Sequence, residues 1–171
     1  MKRLLFLFAA IGMTALTSCE GDQGPQGPPG ASTEASVFEL NSVDFNFNSG
    51  YFISGSYPSN LQVLDSDVVL MYRLSDLIDS STPIWQQIPR TLFSEAGEVD
   101  YDFDFSAIDF QIYVGGTFEL TPEYTGNQTF RIVVIPGQFV DRSAAPKVDL
   151  SDYNAVIKAY NIDDSNIQII K

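Results

Sequence analysis

Carboxylates are the only abundant reactive groups in this chain. Of its 171 residues, 22 are Asp or Glu, none is His and one is Cys. Without histidine or a second thiol, Ser-His-Asp and Cys-His nucleophilic chemistry has no base, and the usual zinc, copper and haem ligand sets cannot assemble. Hard-cation binding and carboxylate acid–base work remain. Asp100, Asp102 and Asp104 alternate with Tyr101, Phe103 and Phe105. On a strand these carboxylates share one face at a spacing of roughly 6.5 to 7 Å, close enough for a common calcium ion. The same spacing describes the solvated face of a half-buried strand. Asp65-Ser66-Asp67 and Asp163-Asp164 are further acidic pairs, but the D-x-[DN]-x-[DN]-G spacing of an EF-hand loop does not occur. A glycosidase needs only two facing carboxylates. With so many acids a pair says little, and a small sandwich with short loops leaves no deep cleft. No catalysis is expected, and calcium is the only cofactor candidate. Gly115-Gly116 is too short for a phosphate loop and leads into Thr117-Phe118, not a helix start.

Aromatic side chains offer a second chemistry, the stacking of flat rings on a ligand such as a sugar. Trp85 is the only tryptophan. It lies between Pro83 and Gln86-Gln87 on a short segment that reads as an edge strand, so its ring either contacts a ligand or packs in the core. Tyr124, within Pro122-Glu123-Tyr124-Thr125-Gly126-Asn127, sits in a turn and is the better candidate for an exposed ring.

The lone thiol has a third chemistry. Met1-Lys2-Arg3 precedes an apolar run, Leu4 to Met13, that is too short to span a bilayer and reads as a secretory signal. The run ends Leu16-Thr17-Ser18-Cys19: a branched apolar residue, two small residues, then cysteine. This resembles the lipobox of bacterial lipoproteins. The resemblance implies cleavage after residue 18 and a thioether-linked diacylglycerol on Cys19. Two or three fatty chains, at about 0.8 kcal/mol per buried CH₂, anchor durably where one does not. With a single cysteine no intrachain disulfide forms, so the exported domain must be stable by its core.

Glycine recurs at 21, 24, 27 and 30 in Glu20-Gly21-Asp22-Gln23-Gly24-Pro25-Gln26-Gly27-Pro28-Pro29-Gly30, a collagen-like period. Three triplets are too few to hold a triple helix together, and the segment reads as a semi-rigid spacer. At about 3.1 Å per residue it extends up to roughly 50 Å. Lipobox and spacer together resemble lipoproteins of the Bacteroidetes. That resemblance implies an outer-membrane location. Acidic Glu20 and Asp22 after Cys19 further suggest the cell surface over the periplasmic leaflet.

Residues 36–171 are expected to form one domain, large enough for a real core. Removing Lys2 and Arg3 with the signal changes the formal charge from −13 to −15, with 7 basic residues against 22 acidic. Such a surface repels nucleic acid and anionic lipid. Val43, Phe45 and Phe47 alternate with polar residues, and Ser49-Gly50 then predicts a hairpin turn into a returning strand, Tyr51 to Tyr57. Val68 to Leu74 is dense enough for a central strand covered on both faces. Ile84 to Ile88, 100–105, Phe110 to Val114 and Phe130 to Ile135 are further strands, separated by Gly, Pro, Asn and Ser. The pattern predicts an antiparallel β-sandwich, immunoglobulin-like or related. Tyr153, Val156, Ile157 and Tyr160 follow i, i+3, i+4, i+7, predicting a short C-terminal helix capped by Ser151 and packed on the sandwich edge. Asn166 to Ile170 reads as a last strand. The expected role is structural, adhesive or accessory to an outer-membrane protein; the alternative is a glycan- or calcium-binding module.

Overall fold

The computed structural model describes residues 34–137 and 147–170. The signal, Cys19 and most of the spacer lie outside the described residues. Among the described residues nine strands form two sheets: β1 (Ser36–Val43), β2 (Phe52–Ser56), β3 (Val68–Asp79), β4 (Thr82–Ile88), β5 (Arg90–Ser94), β6 (Gly97–Phe105), β7 (Asp109–Gly116), β8 (Gln128–Ile135) and β9 (Gln168–Ile170). One sheet has the order β4-β3-β8-β1-β9 and the other β2-β7-β6-β5. Two short helices lie wholly within the described residues, α1 (Pro122–Thr125) and α2 (Tyr153–Ala159). The result is a mostly-β, sandwich-like arrangement of two sheets.

Period-2 alternation sends one set of side chains between the sheets. Phe38, Leu40, Val69, Met71, Phe130, Ile132 and Val134 come from the five-stranded sheet and meet Val99, Tyr101, Phe110, Ile112 and Val114 of the other. Gly55 on β2 belongs to this packing, because a Cβ there would run into the Phe110 ring. Strands β3 and β8 are apolar on both faces, as the dense run at 68–74 predicts. Leu70, Tyr72, Val133 and Ile135 form a second core on the outside of the five-stranded sheet, closed by Tyr153, Val156 and Ile162. Helix α2 therefore covers a sheet face and not the sandwich edge. Full burial of a side chain such as Val156 stabilises by about 1.5 to 3 kcal/mol.

Three further expectations are corrected. Segments 43–48 and 51–57 do not form a hairpin, because β1 pairs with β8 in one sheet and β2 with β7 in the other. Strand β1 stops at Val43, where its register slips and Ser42 adopts φ 54°. The chain then crosses the sandwich through a 3-10 turn at Phe47–Ser49. The sandwich is not wholly antiparallel, since β9 lies parallel to β1. The N-cap of α2 is Asp152, whose carboxylate accepts from the Ala155 N–H, while Ser151 donates to Asp149.

Candidate binding groove

The strand directions give the domain two distinct ends. Strand β1 begins at residue 36, close to the first described residue, and runs to Val43. The 44–51 connection is thus at the end remote from the start of β1, here the far end. Registers place three other connections at the same end: the β3–β4 hairpin, the β5–β6 hairpin, and the 117–127 segment leading from β7 through α1 into β8. Of the four most exposed large apolar side chains among the described residues, three stand there: Phe47 at 78%, Ile78 at 72% and Phe93 at 79% exposed. The fourth, Ile108, is on the β6–β7 turn at the near end.

A groove of about 670 Å³ opens at this far end, lined by Phe47, Tyr51, Gly115, Gly116, Phe118, Glu119 and Leu120. That volume lies within the range of small-ligand sites. The rings of Phe47 and Tyr51 meet edge to face at 6.0 Å, and Phe118 meets Tyr124 likewise at 6.0 Å. Tyr51 holds φ at 58°, a left-handed conformation that a bulky residue adopts at a cost of about 1 to 3 kcal/mol. Two main-chain bonds hold it there: its N–H donates to the Asn46 carbonyl and its own carbonyl accepts from Val114, both at 3.0 Å. At Gly115 a Cβ would meet nothing within 4 Å, so the floor of the groove is bare backbone under open space.

Gly115, on the floor of the groove, also belongs to the outer face of the β2-β7-β6-β5 sheet. Across that face Phe52, Tyr113 and Asp102 form one cross-strand row, and Gly115, Asp100 and Thr91 the next. The Phe52 and Tyr113 rings are 6.4 Å apart. The Tyr113 hydroxyl lies 2.8 Å from both Asp104 Oδ2 and Gln111 Oε1. The hydrogen bond to Asp104 raises the pKa of this phenol.

Asp100, Asp102 and Asp104 do share one face of β6, as their spacing predicts, but they do not converge. Asp100 accepts from Thr91 Oγ1 at 2.5 Å, Asp102 from the Phe103 N–H at 2.8 Å, and Asp104 from Tyr113. Among the described residues no three His, Cys, Asp or Glu side chains group to hold a metal ion.

Trp85 and Tyr124 are both half-buried. The Trp85 ring lies under the Arg131 guanidinium at 4.3 Å and against Tyr153 at 5.5 Å. Arg131 also pairs with Glu39 at 3.1 Å and donates to the Tyr153 hydroxyl at 2.7 Å. Trp85 thus belongs to the cluster that seats α2. Tyr124 is not the free ring its turn predicts; it packs on the core edge and backs the Phe118 wall of the groove. Sequence reasoning passed over Phe47, Tyr51 and Phe118 as site residues. Their one sequence signal is an aromatic residue beside Ser49-Gly50 or Gly115-Gly116. Comparison with known proteins finds no matching family model, no matching curated protein and no matching solved structure.

Proposed function

We propose that this chain is a lipid-anchored, non-catalytic adhesion protein of a bacterial cell envelope. In this reading Cys19 carries the lipid, residues 19–35 act as the spacer, and the far end of the sandwich makes the contact. One observation carries it: the two most exposed described rings, Phe47 and Phe93, and the aromatic groove stand at the end opposite the start of β1. An anchor at one end and an apolar, open rim at the other is the geometry a presenting protein needs. The lipobox supports an outer-membrane location, and Glu20 and Asp22 support the outer surface. The partner is then a component outside the cell or a neighbouring outer-membrane protein, reached across up to roughly 50 Å of spacer.

Two measurements test this. Metabolic labelling with a palmitate analogue should tag the wild-type chain and not Cys19→Ser. Cells displaying the full lipidated chain should adhere to envelope and extracellular polymer of the producing bacterium. The double variant Phe47→Ser with Phe93→Ser removes two exposed rings and should cut adhesion severalfold. Full adhesion by that variant would sink the reading.

A further inference from the structure

We infer that the far-end groove binds a neutral, hydroxyl-rich polysaccharide. The inference rests on the adhesive reading above and supplies its ligand class. Three observations converge on it. The groove walls are rings, Phe47, Tyr51 and Phe118, over a floor opened by Gly115. Flat apolar C–H faces of a sugar stack on such rings, while its hydroxyls need polar partners at the edge. Those partners are acceptors held in place beside the floor. Asp100 lies directly across from Gly115 with Thr91 fixing one oxygen, and Asp102 is directly across from Tyr113. Among the described residues, only Oδ1 of Asp102 is engaged, by the Phe103 N–H.

Charge then selects the class of polymer. The outward positions of this sheet include Glu98, Asp100, Asp102, Asp104 and Asp109, with no Lys or Arg between them on the face. With a chain charge of −13, uronate, sulfate or phosphate polymers are repelled. A protein partner broad enough to cover this face would bury these carboxylates, and the buried part of a stable interface is depleted of charge. A neutral polyol takes hydrogen bonds from them at the edge without that cost. The strained Tyr51 fits the same assignment, since its left-handed backbone is held by two bonds at the wall of the groove.

The test is affinity electrophoresis of the full chain in non-ionic detergent through gels containing dextran, a galactomannan, a β-glucan, alginate or polylysine. At least one neutral polysaccharide should retard the protein, and alginate should not. Gly115→Leu places a side chain in open space over the floor. It should keep the wild-type melting temperature yet raise the apparent dissociation constant about tenfold or more. Phe47→Ala, at a residue outside the core, should weaken binding in the same direction. Retardation by no neutral polysaccharide, or equal retardation of Gly115→Leu and Phe47→Ala, overturns the inference. Retardation by polylysine alone overturns it too, while leaving an adhesive far end standing. Loss of adhesion in the Phe47 and Phe93 double variant with no polysaccharide binding separates the two readings in the same way.

Discussion

The hydroxyl of Tyr101 donates a 2.7 Å hydrogen bond to the main-chain carbonyl of Tyr124, tying the middle of β6 to α1 across the end of the sandwich. Tyr101 is 1% exposed, and its ring meets Phe45 and Phe130 in the core. The bond therefore holds α1, and with it the Phe118 wall, against a fixed reference. Tyr101→Phe keeps the ring and removes the donor. Denaturant unfolding should show a loss of about 1 to 2 kcal/mol with little change in slope. The polysaccharide binding proposed for the groove should weaken with it.

The same end is closed by a buried cation. Arg73 is 9% exposed; its Nε donates to Gln128 Oε1 at 2.7 Å and its guanidinium lies 4.4 Å from the Tyr101 ring centroid. The Gln128 amide in turn donates to the Glu123 and Gly126 carbonyls at 3.1 and 2.8 Å. Gln128→Leu strands the guanidinium and should cost about 2 to 3 kcal/mol. Adding Arg73→Met should recover part of that loss, because both partners are then apolar. A double-mutant cycle by chemical denaturation measures the coupling; additive effects would contradict the pairing.

Trp85 is a built-in probe of how α2 is seated. Arg131→Ala removes the cation above its ring, the Glu39 pair and the donor to Tyr153 together. Tryptophan emission should move to the red and the melting temperature should fall. An unchanged spectrum would mean that α2 holds its place through Val156 and Ile162 alone.

Alkaline pH should destabilise the protein before its surface tyrosines explain it. Burial raises the Tyr57 pKa from 10.0 to about 12, with Asp109 adding to the effect. Burial also raises Tyr72, Tyr101 and Tyr153. In the unfolded chain these phenols ionise near 10, so above that pH the unfolded state binds fewer protons than the folded one. Stability is then fully present below pH 10 and is lost as pH climbs toward 12. Equilibrium unfolding across that window, with ultraviolet titration of phenolate, should show late ionisation coincident with unfolding.

The positions of β2, β3, β4, β6, β7, β8 and β9, the doubly covered central strand and the helical stripe at 153–160 are legible in the sequence, whereas β1 is not: the alternation at 43–47 marks the segment that follows it. Each depends on a local rule: a period of two or 3.6 puts apolar side chains on a face that must leave water. Strand β5 was missed because Leu92 and Phe93 are adjacent apolar residues and show no alternation. The β1–β2 crossing was missed because alternation through Phe45 and Phe47 cannot reveal that β1 ends at a slipped register and Ser42 turns left-handed.

What the sequence determined by itself is chemistry and material: no imidazole, one thiol in a lipobox-like setting, an acidic surface and enough alternating apolar residues for two sheets. The tertiary structure decided which of those residues meet. Phe47 and Phe118 are 71 positions apart, yet they line one groove because β2 and β7 pair in register and carry their end connections to the same place. The parallel docking of β9 on β1 and the seating of Trp85 beneath Arg131 have the same origin. Periodicity tells each segment which face to bury. Only the mutual fit of several buried faces selects the partner strand, and that fit is a property of the whole core.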